Sequence, residues 1–187
     1  MAAFGTAEDL ASFLQVPTVD RYTAELLLDL ASDAVRGETG LDIDVATTTE
    51  AYDGLDASNL YAGTVFLRQR PVTAVSGVSD AGVLLVPVTQ YEWSAGGVIS
   101  RVDGLPFTDL AGGILVTYTH GWATNTREWR LARMVTLQVA ARAYVNPLQV
   151  DSVTVGGITR TYPRSEPRTG RLELTEFEKR RLDPLRR

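Results

Sequence analysis

Residues 112–147 read GGILVTYTHGWATNTREWRLARMVTLQVAARAYVNP, and this stretch decides the fold class. Ile114 to Thr119 is a β-branched, aromatic run with strand periodicity, and Gly121-Trp122 supplies a tight turn. From about Thr126 to Val145 the spacing predicts a helix of about five turns. At 100° per residue, Leu131, Met134, Val135, Leu137, Val139, Ala140 and Tyr144 leave no wide polar sector. Arg127, Arg130, Gln138 and Arg142 form only a narrow strip, and Ala132, Ala140, Ala141 and Ala143 let other helices approach closely. A helix that is apolar nearly all round needs cover on every side. Two arrangements supply it, and they are compatible: a central place in the chain's own bundle, or packing of one side on a second copy. Leu131, Val135, Val139 and Tyr144 are the candidate subunit-interface residues of this helix.

Upstream, Thr6 caps a first helix over 6–16, with Asp9 in the capping-box position and Leu10, Phe13 and Leu14 as its stripe. A second helix, 19–37, opens at Thr18 or Asp20 and stops near Gly37 or Gly40. Tyr22, Leu26, Leu27, Leu30, Ala31 and Ala34 are expected on its inner side; Arg21, Glu25, Asp29, Asp33 and Arg36 are expected to face out. Between 48 and 120 the punctuation changes to short β-branched runs separated by Asp53-Gly54, Asp80-Ala81-Gly82, Gly96-Gly97, Asp103-Gly104 and Gly112-Gly113. That pattern predicts an antiparallel meander or small barrel. The fold class is therefore α+β: an N-terminal helix pair and a long central helix forming a small bundle, with an inserted β region.

Residues 1–147 form the expected domain, and 148–187 the expected extended C-terminal arm. The arm holds a β-like run at Ser152 to Val155, a Gly156-Gly157 turn, the polar stretch TYPRSEPRTGR, and a short terminal helix near 175–182. Its Arg/Pro-rich composition cannot bury a core of its own.

The chain of 187 residues is 44% hydrophobic and 22% charged, a composition suited to one folded domain. No run of 18 apolar residues exists to span a membrane, and the N-terminus lacks a signal-peptide layout. With no cysteine, disulfides and thiolate metal sites are excluded. The net charge of −5 is unevenly spread: residues 1–63 hold 12 Asp and Glu against 2 Arg, while residues 127–187 hold 13 Lys and Arg against 7 acids. Such polarity suits a charged partner or head-to-tail contact between copies, and equally two solvated faces.

Chemistry is sparse. The single histidine, His120, has no nucleophile elbow or acid arranged with it, so the strand-to-helix turn is its expected role. Asp42, Asp44, Asp53 and Asp56 lack the spacing of a calcium loop and read as a solvated acidic stretch. No phosphate-cradling glycine motif occurs. No cofactor, metal or catalytic residue is expected, and the chain is not read as an enzyme. Arg160, Arg164, Arg168 and Arg171, with Tyr162 among them, keep open the alternative of a small β-barrel nucleic-acid-binding module.

The order of elements resembles the head-tail connector (adaptor, or head-completion) family of tailed bacteriophages and related gene-transfer particles. The resemblance covers roughly residues 6–147. It is carried by TAEDLASFLQV, AELLLDLASDAVRGETG, the Tyr52-Asp53-Gly54 turn, LRQRPVTAVSGV, VTQYEWSAGGVISRV, GGILVTYTHGW and the alanine-rich helix after it. The β region is larger than in the mainly helical members, and the resemblance does not extend past Pro147.

The resemblance implies a homo-oligomeric ring, commonly of twelve copies, under the portal protein in the virion and assembled in the host cytoplasm. Such a ring extends the DNA channel without sequence-specific contact to double-stranded DNA and offers a surface to the next stopper or tail protein. On that basis Arg164, Arg168, Arg171, Arg180 and Arg181 are candidates for portal docking. Glu25, Asp29 and Asp33 are candidates for the channel wall.

Overall fold

The computed structural model describes residues 2–54, 61–146, 152–155, 158–161 and 172–186. The chain is mixed helix and antiparallel sheet and divides into a helical unit, Met1–Gly40 with Asn125–Arg187, and a β unit, Leu41–Thr124.

In the helical unit, α1 (Ala7–Leu14) begins with a capping box: Thr6 Oγ1 accepts from Asp9 N at 3.2 Å, and Asp9 Oδ2 accepts from Thr6 N at 2.9 Å. It ends at Gln15 in the left-handed region. α2 (Arg21–Thr39) is capped by Asp20, whose carboxylate accepts from Thr23 N at 2.8 Å, and closes on Gly40 at φ +69°. α3 (Arg127–Val145) starts from Thr126, as its sequence predicts. Ala132, Val135, Thr136, Leu137, Val139, Ala140, Ala141 and Ala143 are buried along it. The reason is that α1, α2 and the terminal helix α4 (Glu176–Leu182) all pack on α3. The helix is greasy on several sides because three helices cover it.

Two expectations change here. Residues 172–186 do not extend as an arm: α4 and the following 3-10 turn Asp183–Leu185 fold back as a fourth helical layer, burying Leu174, Leu182 and Leu185. The spacing Leu174, Glu178, Leu182, Leu185 is that of one helical face. The inner face of α2 is also rotated from the expected one. Ala24, Leu27, Leu28, Ala31, Ser32, Val35 and Arg36 are buried, whereas Tyr22, Leu26 and Leu30 are exposed. Apolar residues cover more of α2 than its packing inside the unit uses. The N-terminal residues also claim one side of it. Phe4 is buried and donates its N–H to Ser32 Oγ at 3.0 Å; Arg36 stacks over the Phe4 ring at 4.3 Å and donates to Ala2 O at 2.6 Å.

The β unit contains two antiparallel sheets around a common core. The first has the order β1 (Ala46–Tyr52), β7 (Ile114–His120), β3 (Val72–Asp80), β4 (Val83–Leu84); the second runs β2 (Thr64–Phe66), β6 (Val98–Arg101), β5 (Tyr91–Trp93). The strands are antiparallel, as expected of a meander or small barrel, but their order is not sequential, since the last strand of the unit lies between the first and the third. Along β7, Ile114, Val116, Tyr118 and His120 point inward, and Thr117 and Thr119 face out. On the outer face Thr47 and Thr119 bond at 2.8 Å and Thr49 and Thr117 at 2.9 Å, which pins the β1–β7 register. Ile114, Val116 and Tyr118 join Tyr52, Val65, Leu67, Val78, Tyr91, Ile99 and Phe107 in the core. A separate hairpin, β8 (Ser152–Val155) with β9 (Ile158–Thr161), pairs Ser152 with Thr161 and Val155 with Ile158.

Candidate assembly surfaces

A carboxylate held by two phenols organises one edge of the β unit. Tyr118 Oη donates to Glu50 Oε2 at 2.9 Å, and Tyr52 Oη donates to the same oxygen. Those phenol oxygens in turn accept backbone N–H groups, Tyr52 from Arg68 and Tyr118 from Gln69, each at 3.2 Å. Gln69 Oε1 accepts from Asp42 N at 2.7 Å, and Leu67 N donates to Gly97 O at 2.7 Å. Burial pushes both tyrosines above the ordinary phenol pKa, with Glu50 adding to the effect. The result is a backbone strip from 67 to 69 fastened from below. Phe66, Arg68 and Arg70 are exposed along it, alternating with buried Leu67 and half-buried Gln69. Arg68 lies over the Tyr52 ring at 5.3 Å, and Tyr61 meets Phe66 edge-on with centroids 6.2 Å apart.

In the same unit, Arg101 is nearly buried between two carboxylates. It reaches Asp80 at 2.7 Å and Asp103 at 2.6 Å, while Asp80 also accepts from Thr108 N at 3.0 Å. The hydrogen bond from Arg101 is the main reason the Asp103 carboxyl sits below its usual range. This cluster ties β6 of the three-stranded sheet to the end of β3 in the other, which is a structural task.

In the helical unit the exposed side of α2 carries two parallel rows. Tyr22, Leu26 and Leu30 form one; Glu25, Asp29 and Asp33, all exposed, form the other. At 100° per residue their centres lie about 60° apart on the helix surface. Arg21 pairs with Glu25 at 2.7 Å, and Arg36 with Asp33 at 3.3 Å.

The structure thus brings Glu25, Asp29 and Asp33 into one line. Of the residues expected at a subunit interface, Val135 and Val139 are fully enclosed within the helical unit; Leu131 and Tyr144 are half-buried, and the Tyr144 hydroxyl accepts from Asp20 N at 2.8 Å. Among the arginines, Arg164, Arg168 and Arg171 lie outside the described residues, as does Asp56 of the acidic stretch. Arg180 is exposed. Arg181 is engaged inside the unit, stacking on Phe177 at 4.3 Å and reaching Gln138 Oε1 at 3.4 Å.

His120 is completely buried with both ring nitrogens lacking a hydrogen-bond partner among the described residues, so no solvent-borne substrate reaches it in this conformation. No group of three metal-ligating side chains occurs among the described residues, and no helix there is long and apolar enough to cross a membrane. Sequence reasoning missed the arginine strip. Its one visible signal was the alternation in Val65-Phe66-Leu67-Arg68, and its meaning depended on Tyr52 and Tyr118 meeting across the sheet.

No family model matches the chain, and no curated protein matches it in sequence. In three dimensions it is similar to chains of gene transfer agent (GTA) particles. One, from the neck of an empty GTA particle computed with C6 symmetry, superposes with a TM-score of 0.54 at 18% identity, over 80% of this chain and 81% of that one. Another, from the virion of a native GTA particle, gives 0.54 at 16% identity over 80% and 81%. A third, from the neck of a native GTA particle computed with C12 symmetry, gives 0.51 at 17% identity over 83% and 85%. At these identities the likeness is one of fold, and it is a fold found in the particles of gene transfer agents.

Proposed function

We propose that this chain is a structural, non-enzymatic subunit of a phage-type head–tail neck. It assembles as a homo-oligomeric ring beneath the portal protein, extends the DNA channel and seats the next stopper or tail component. The observation that carries this reading is the fold shared with GTA particle chains over about four-fifths of both partners. The C6 and C12 symmetries of those necks fit a ring of twelve. The chain between Asn146 and Glu173, with Arg164, Arg168 and Arg171, is the portal-docking element in this reading. Its two ends are held at Arg142, whose carbonyl accepts from Asn146 N at 3.2 Å and whose Nη2 donates to Glu173 O at 2.7 Å. DNA passes through the ring without sequence-specific contact, and the protein resides in the virion.

Removing the gene from a particle-producing host tests the reading. Filled heads and finished tails that fail to join are expected. Joined particles at the normal yield would contradict it.

A further inference from the structure

The exposed side of α2 combines two properties that a freely solvated wall does not need together. Tyr22, Leu26 and Leu30 are 79%, 50% and 42% exposed in a line, directly beside the carboxylates of Glu25, Asp29 and Asp33. A surface bathed by water and DNA gains from the acids and nothing from three large apolar side chains. An apolar strip for burial next to charges that set partner and register is the makeup of a covered interface.

The β unit carries the complement. Phe66 is 57% and Tyr61 53% exposed, in edge-on contact, and Arg68 and Arg70, just after the strand, are exposed as well. The backbone from 67 to 69 is fixed by the bonds to Gly97, Tyr52 and Tyr118, so little ordering is needed on binding. Aromatics with arginine are the side chains that anchor interfaces, and the guanidinium fork matches a carboxylate.

We infer that the segment with Tyr61, Phe66, Arg68 and Arg70 of one copy docks on the apolar and acidic face of α2 in the next copy. Two different patches meet, so the contact is head-to-tail and propagates until a ring closes. The inference rests on the neck-ring reading for its partner, a second copy of this chain. It also assigns the acidic row of α2 to a junction between subunits, in place of the channel wall.

Because the chain has no cysteine, single introduced thiols test the contact by disulfide trapping. A chain carrying Leu26→Cys is mixed with one carrying Phe66→Cys; the control pairs Leu26→Cys with Thr89→Cys, an exposed turn position of the β unit. The first pair is expected to link about tenfold faster than the control, as opposed charges steer the encounter. Arg68→Glu with Arg70→Glu on the Phe66→Cys chain slows it to the control rate. Adding Glu25→Lys, Asp29→Lys and Asp33→Lys to the Leu26→Cys chain then restores it.

Equal rates in the two pairs would overturn the contact. So would a doubly substituted chain that closes its disulfide within itself instead of linking to another. Rings seen by electron microscopy without preferential trapping would overturn this contact and leave the neck reading standing. Preferential trapping with neither rings nor joined particles would do the reverse.

Discussion

Arg142 and Glu178 form a 2.8 Å ion pair in which the Glu178 carboxylate is buried against α3. The other carboxylate oxygen accepts from Thr175 N at 2.7 Å, completing the capping box of α4. Arg142 also holds both Asn146 and Glu173. One residue of α3 therefore fixes the end of that helix, the approach to α4 at Glu173, and how the last helix starts.

Replacing Arg142 with Met leaves that buried carboxylate unpaired, and stability of the helical unit should fall by roughly 3 kcal/mol. Glu178→Gln, which keeps a hydrogen-bonding side chain, should cost about half as much. Urea unfolding followed by circular dichroism at 222 nm measures both. Equal, negligible losses would mean that α4 is held by its leucines alone.

The Glu50–Tyr52–Tyr118 cluster predicts an alkaline limit. Burial raises both phenols in the folded state above the unfolded value of about 10, so their contribution is complete below about pH 10 and is lost as pH rises beyond it. Tm should fall steeply above that point. Tyr118→Phe should flatten this limb while lowering stability at pH 8 by about 1–2 kcal/mol, because Gln69 N and Glu50 each lose a partner.

An acid limit follows from Arg101. Asp103 is depressed in the folded state, so its stabilising effect is present above the unfolded value of about 4 and fades as pH falls below it. Melting curves between pH 3 and 7 should show the loss in the wild type and a flatter dependence in Arg101→Met.

At the turn after β7, neighbouring residues should respond very unequally. Gly121 has φ +94°, and an added Cβ would lie 2.2 Å from Asp44 O, so Gly121→Ala should destabilise by roughly 3 kcal/mol or more. His120→Leu removes two buried nitrogens that have no hydrogen-bond partner among the described residues, and should change stability by no more than about 1 kcal/mol. Thermal melts of the two variants distinguish a backbone requirement at the turn from a side-chain one.

Much of the fold was legible because it is local. Thr6, Asp20, Thr126 and Thr175 announce helix starts through their own side chains, and Gly40 ends α2 where a left-handed residue is needed. The all-round apolarity of α3 correctly demanded cover on several sides. The sheet order was not legible: Ala46 to Tyr52 pair with Ile114 to His120, more than sixty residues away, and nothing in either run names its partner. α4 itself was legible near 175–182, but its docking was not: the arginines around it suggested an extended arm, although Leu174, Leu182 and Leu185 carried its buried face. The exposed row on α2 was misplaced inward because Tyr22, Leu26 and Leu30 fit an amphipathic stripe as well as Leu27, Leu28, Ala31 and Val35 do. Only the neighbouring helices decide between them.

The most decisive measurement is electron microscopy of this protein mixed with the portal protein of the same genome. Closed rings stacked on the portal, with sixfold or twelvefold symmetry, are the predicted result. A protein that stays monomeric beside an unmodified portal at micromolar concentrations would contradict a role in the neck.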